Sequence, residues 1–215
     1  MPASVLLLLA SAMSLSQFAD DEGRYMAMHG DSRVDRDNLW SIASIDIWIA
    51  PEGRVAGCSI ASSAGDRATA EHSCKVLVGY QFSAPLGPNG QKSFGSITAT
   101  VSAFSDKLFP QSRSLTKNFL AEADKMATDA KLAVPDKLLT LEGQSGINVF
   151  VQTNGRVVAC EGVGAVSPLL AKVACGKAAA KSFAVRSSDG QPVAYVKYVE
   201  LLPESYFTQS SPISS

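Results

Sequence analysis

The residues whose types and spacing could support chemistry are four cysteines, two histidines and two arginines in matching surroundings. Cys58 and Cys74 are followed about a hundred residues later by Cys160 and Cys175, at nearly equal intervals. Four cysteines allow three connectivities. The recurrence selects Cys58–Cys74 and Cys160–Cys175, because each pair falls inside one copy of a repeat. Each bridge would close a loop of roughly 15 residues, worth on the order of 3 kcal/mol in the chain-entropy account. Such bridges belong to an oxidising compartment. A zinc site fits poorly: no Cys-x-x-Cys occurs, and His29 and His72 do not recur between the copies. His72, between Glu71 and Ser73, has the type of a general base. No Gly-x-Ser-x-Gly elbow accompanies it, and adjacent residues on a helix do not face one another. His29 lies in a charged lead-in, and the glycines of Gly143–Gly146 do not follow a phosphate-loop spacing. No catalytic, cofactor-binding or metal-binding residue is therefore assigned.

The elements that position these residues come from an internal repeat. Ile45–Cys58 reads IDIWIAPEGRVAGC, and Ile147–Cys160 reads INVFVQTNGRVVAC. Each copy opens on alternating apolar residues (Ile45, Ile47, Ile49; Ile147, Val149, Val151), the period of a half-buried strand. Each then places Gly-Arg-Val after a polar break, at Gly53-Arg54-Val55 and Gly155-Arg156-Val157, as a hairpin turn in which glycine supplies positive φ. After the second strand come a helix over Arg67–Val78 or near Pro168–Ala180, Phe82 or Phe183, and a turn at Gly90-Gln91 or Gly190-Gln191. The last strands are Ser96–Phe104 and Pro192–Leu201. Between the copies, Ser114–Leu132 places Leu115, Phe119, Ala123, Met126, Ala127 and Ala130 on one helical face.

The expected fold is α+β: two tandem ββαβ units, each a small antiparallel three-stranded sheet packed by a helix, joined by a connector helix. The boundaries are a signal peptide over 1–19, a mobile lead-in over 20–37, a first unit over 38–104, the connector over 105–134, a second unit over 135–203 and a disordered tail over 204–215. The N-terminal MPASVLLLLASAMSLSQFA is short for a bilayer span, which needs about 20 apolar residues. Ala10-Ser11-Ala12 offers a small-x-small cleavage pattern, so the reading is export by a signal peptide. A net charge of −1 with scattered Lys and Arg gives no basic stripe for nucleic acid.

Each copy resembles the carboxy-terminal domain of the TonB energy-transducer family. The resemblance rests on Glu52-Gly53-Arg54-Val55, Ser62-Ser63-Ala64-Gly65, Tyr80-Gln81-Phe82-Ser83-Ala84-Pro85 and Asn89-Gly90-Gln91 in the first copy. In the second it rests on Asn154-Gly155-Arg156-Val157, Phe183 and Asp189-Gly190-Gln191-Pro192-Val193, with Gly162-Val163-Gly164-Ala165 in place of Ser-Ser-Gly. It covers Leu39–Phe104 and Leu141–Leu201, and the paired cysteines resemble a cysteine-bearing branch of the family. The resemblance implies a β-edge that accepts an extended peptide from a partner in the cell envelope, such as an outer-membrane transporter. The ten prolines are dispersed, whereas a transducer resembling this family carries a Pro-rich spacer and an inner-membrane anchor.

The expected function is an exported, periplasmic protein-interaction module binding its partner by β-strand addition, without cofactor or metal. The alternatives are a membrane-anchored energy transducer of TonB type and, from another class, an exported hydrolase or enzyme inhibitor. The candidate binding edge is carried by Ile97, Ala99 and Val101 on one last strand and Val193, Tyr195 and Val199 on the other. Covering of those edges by the other unit or by the connector is the competing expectation. Trp48, Arg54 and Arg156 are candidate surface residues; if Ile45, Ile47 and Ile49 face inward, Trp48 faces outward with Asp46.

Overall fold

The computed structural model describes Met13 and residues 33–105, 130–139, 145–164 and 166–208, with backbone only at 100, 102, 104 and 208. The architecture is mixed α+β, built on a strand-rich sheet. Its elements are α1 (Arg33–Arg36), β1 (Trp40–Ile49), β2 (Val55–Gly65), α2 (Arg67–Val78), β3 (Phe94–Phe104), β4 (Lys131–Val134), β5 (Gly146–Val151), β6 (Val157–Val163), α3 (Pro168–Ala179), β7 (Arg186–Ser188), β8 (Gln191–Val193), β9 (Tyr195–Pro203) and α4 (Glu204–Thr208). Seven strands form one sheet in the order β2-β1-β3-β9-β5-β6, with β4 also paired to β9; β7 and β8 form a separate hairpin.

Both main hairpins are locked by the same backbone pattern. Phe82 N–H donates to the Gly53 carbonyl at 2.9 Å, and Phe183 N–H donates to the Gly155 carbonyl at 2.9 Å. Gly53 (φ +89°) and Gly155 (φ +80°) are left-handed, and a Cβ at either would collide with the carbonyl of Phe82 or Phe183. The turn thus fixes the chain leaving the helix as well as the hairpin. Both helices start on side-chain caps, Asp66 accepting from Thr69 N–H and Ser167 accepting from Leu170 N–H. The disulfides Cys58–Cys74 and Cys160–Cys175, with Cα separations of 5.5 and 5.7 Å, staple each helix to its adjoining strand.

The two halves meet strand to strand. β3 pairs in parallel with β9 over Phe94–Tyr195, Gly95–Val196 and Ser96–Lys197. The expectation of two separate three-stranded sheets is corrected here: β1, β2 and β3 continue into β9, β5 and β6 as one sheet. The join also sets the layers. Ile45, Ile47 and Ile49 pack with Ala70 and Leu77 of α2, whereas Ile147, Val149 and Val151 pack with Leu170, Ala174 and Ala178 of α3. Trp48, pointing away from Ile47, packs against the cluster under α3. Since successive residues of a strand face opposite ways, α2 and α3 lie on opposite faces of the sheet.

Several boundaries differ from expectation. β2 runs on through Ser62–Gly65, which reads in sequence as a capping loop, because these residues keep pairing with Ser41–Ser44. β4 stands where the connector helix was expected to end: Leu132 and Val134 are buried beside β9, and the alternation that buries them is a strand's. The rest of that expected helix, 106–129, lies outside the described residues, as does the expected signal segment apart from Met13. Met13 is buried, and its carbonyl accepts a hydrogen bond from Asn148 Nδ2 at 3.4 Å. The lead-in contains α1, anchored by buried Val34, and the tail begins as α4.

α4 is tied down at its start by Asp136, whose Oδ1 accepts the Ser205 N–H at 3.2 Å. The Ser205 hydroxyl and then its backbone N–H hold the Asp136 carboxyl below the usual carboxylate range. A folded-state pKa below the unfolded one gives stabilisation present above the unfolded value and lost as pH falls through the folded value. The Ser205 amide is expected to lose its hydrogen-exchange protection over that acid window, and Asp136→Asn to abolish the pH dependence. At the hairpin, Gly155→Ala combines positive φ with the clash on Phe183. It is expected to cost about 1 kcal/mol or more in urea denaturation.

Candidate functional site

The edges proposed from sequence are only partly available. Ile97, Ala99 and Val101 pair with Ile47, Ile45 and Ala43, and their side chains pack in the core under α2. Tyr195 pairs with Phe94 on one side and Val151 on the other. Val199 pairs with Ile147, and both Tyr195 and Val199 are buried. Beyond that, β4 takes the side of β9 from Glu200 to Pro203. β9 is thus flanked from Tyr195 to Lys197 and from Glu200 to Pro203, and the burial of the Tyr195 and Val199 side chains corrects their assignment to a binding edge. Val193 is also corrected: it lies in the β7–β8 hairpin, and Ala194 separates it from β9. From Ile97 onward β3 parts from β9, and among the described residues no strand pairs with that side of it.

The strands that end the sheet are β2 and β6. β2 carries two bulges, where the register slips between Ser44 and Ile45 and between Trp48 and Ile49, leaving Ala61 and Ala56 as the extra residues. Between them, Gly57, Cys58, Ser59 and Ile60 pair regularly with Trp48, Ile47, Asp46 and Ile45. β2 contains neither proline nor charge along its length. Natural sheets commonly place such residues on exposed edges to block further pairing.

Beside this stretch lies a cleft of about 360 Å³, lined in part by Asp46, Trp48, Gly57, Ser59, Ser96 and Arg186. Its floor is the β1–β3 face that points away from α2, and its wall is the β7 strand of the other half. Trp48 stacks on Phe94, with ring centroids 5.1 Å apart and planes 6° from parallel, and meets the edge of Tyr195 at 5.4 Å. The Tyr195 hydroxyl donates to the Ala184 carbonyl at 2.7 Å, which holds the chain entering β7. Arg186 is thereby set beside Asp46, with Nη2 3.7 Å from the carboxylate. That is an ion-pair distance but too long for a hydrogen bond. The other carboxylate oxygen of Asp46, Oδ1, accepts the Thr98 hydroxyl at 2.7 Å. Arg186 Nε is buried without a hydrogen-bond partner. The cleft thus offers an aromatic wall, several hydroxyls and a guanidinium with no short hydrogen bond among the described residues.

Trp48 turns outward with Asp46, as the alternation implies, yet it is half-buried because the second half lies against it. Arg54 is exposed and 3.9 Å from Glu52, and its backbone bridges to Gln81; the backbone of Arg156 makes the matching bridge to Ser182. Both arginines therefore mark the locked turns. Neither lines the cleft. His72 is half-buried on α2, with no hydrogen bond to its ring among the described residues, and His29 lies outside them. Arg186 escaped sequence reasoning. It sits in a Ser-rich turn segment with no periodicity to mark it, and it reaches Asp46 only because β3 joins β9.

Among the described residues, no group of three or more His, Cys, Asp and Glu side chains is placed to hold a metal ion, and no helix is long and apolar enough to cross a membrane. The two disulfides point to an oxidising, extracytoplasmic environment.

Replacing Trp48 by Ala removes its stack on Phe94 and its edge contact with Tyr195 across the halves, and is expected to cost about 2 kcal/mol or more, read as a lower urea midpoint. Changing Cys58 and Cys74 together to Ser is expected to remove on the order of 3 kcal/mol, measured in the same way. No family model matches the chain, and neither does any curated protein or solved structure.

Proposed function

We propose that this chain is an exported, periplasmic protein-interaction module. In this reading it is a tandem of two ββαβ units resembling the TonB C-terminal domain, and it binds an envelope partner by strand addition. The partner contributes an extended segment, and the regular Gly57–Ile60 stretch of β2 receives it. One observation carries the reading: an uncharged, proline-free edge without a strand partner among the described residues lies directly beside a cleft able to take a side chain. In strand addition the main chain supplies affinity, and pockets for alternate side chains supply specificity. The recurring strand–strand–helix–strand order and the paired disulfides support the tandem-unit part. The second unit then serves the first by supplying β9 as a neighbour for β3 and β7 as the wall of the cleft.

The test is capture of envelope proteins by the oxidised chain, compared with a Ser59→Lys, Ala61→Lys variant. Both positions are exposed on β2, and lysine on an edge opposes pairing. The expected result is one partner, such as an outer-membrane transporter, held by the parent chain and lost from the folded variant. Retention of that partner by the variant would move the binding surface elsewhere.

A further inference from the structure

The cleft specifies more about the incoming segment than its backbone. We infer that the segment carries an acidic side chain, aspartate or glutamate, whose carboxylate enters the cleft and binds Arg186; the inference rests on the strand-addition reading. Three observations carry it.

Arg186 is held in place without being satisfied. Its nearest acidic neighbour, Asp46, faces it through Oδ2 at 3.7 Å, beyond hydrogen-bond reach, while Oδ1 accepts the Thr98 hydroxyl. Nε has no acceptor although it is buried. A planar guanidinium that lines a cleft without a short hydrogen bond is best completed by a carboxylate that takes two donors at once.

The surroundings also suit a short charged side chain. Trp48 forms an apolar wall for its methylenes, while Ser59, Ser96 and Ser187 bring hydroxyls to the same cleft. Asp46 offsets the Arg186 charge across 3.7 Å but forms no short hydrogen bond to it, so the guanidinium donors stay open to a further acceptor.

The position relative to the edge is right as well. Gly57 and Ser59 pair with Trp48 and Asp46, so they share the cleft's face of the sheet. A strand laid along β2 sends alternate side chains over that same face. Gly57 has no side chain to screen the entrance.

The experiment uses the full oxidised chain with Trp40→Phe, so that Trp48 is the remaining tryptophan and reports on the cleft by fluorescence. The probes are short peptides of alternating threonine and valine with a central Glu, Gln or Lys. The expected result is a Trp48 response to the Glu peptide, with binding about tenfold or more weaker for the Gln and Lys peptides. Arg186→Met should erase the preference for Glu, and Arg186→Lys should restore part of it. Equal binding of all three peptides, abolished by Ser59→Lys with Ala61→Lys, would overturn the acidic preference and leave strand addition standing. A Glu preference that survives in folded Arg186→Met would overturn the role of Arg186. No binding of any peptide would overturn strand addition at β2, and this inference with it.

Discussion

Three residues on each of two strands hold this architecture together. Phe94–Ser96 and Tyr195–Lys197 run in parallel and join the halves into one sheet. Parallel neighbours must have their faces in common, so the pairing fixes which face each half presents to the other. It places α2 and α3 on opposite faces, leaves the outer face of β1 uncovered by its own helix, and brings Trp48 against Tyr195. The cleft follows from that arrangement. Without the join, Trp48 would be an exposed aromatic and Arg186 a solvated arginine on a remote hairpin.

The join is strengthened by contacts crossing it from both sides. On one face Trp48, stacked on Phe94 of its own half, abuts Tyr195, and Arg186 approaches Asp46. On the other, Gly87 comes so close to Phe150 that a Cβ there would lie 3.1 Å from the ring. Trp48 and Phe150 occupy matching places in the repeat: Phe150 meets Gly87 ahead of β3, and Trp48 shares the cleft with Val185, Arg186 and Ser187 ahead of β9. β4 adds a further tie on the second half, held to α3 by Lys177, whose Nζ donates to the Ala133 carbonyl at 2.9 Å and to Glu204 at 2.7 Å. A partly exposed ion pair of this sort contributes little alone; its value here lies in orienting β4.

Local structure was largely legible in the sequence. The alternation at Ile45–Ile49 and Ile147–Val151, the Gly-Arg-Val turns and both long helices depend on short-range rules and appear where those rules put them, and the cysteine pairing is the one the repeat selects. Long-range pairing was hidden. Nothing in Ser96–Phe104 or Pro192–Leu201 says that the two strands neighbour each other, because an edge that meets another edge has the same alternation as one that meets solvent. Ser62–Gly65 looked like a loop since serine and glycine favour turns, yet pairing with β1 overrode that preference. Lys197 breaks the apolar alternation of β9 and would be taken for a surface residue, but it is buried beside Val149 and Ser96. For the site, Trp48 and Asp46 could be found from their outward phase, whereas Arg186 required the tertiary fold.

The most direct measurement is residue-resolved hydrogen exchange on the full oxidised chain. The amides to follow are those of Phe94–Ser96 and Tyr195–Lys197 that point away from β1 and β5. The fused sheet predicts protection approaching that of Ile47 and Val149, lost for both segments in one opening event. Exchange at the rate of open strand edges, with the two halves opening independently, would contradict the join and every site built on it.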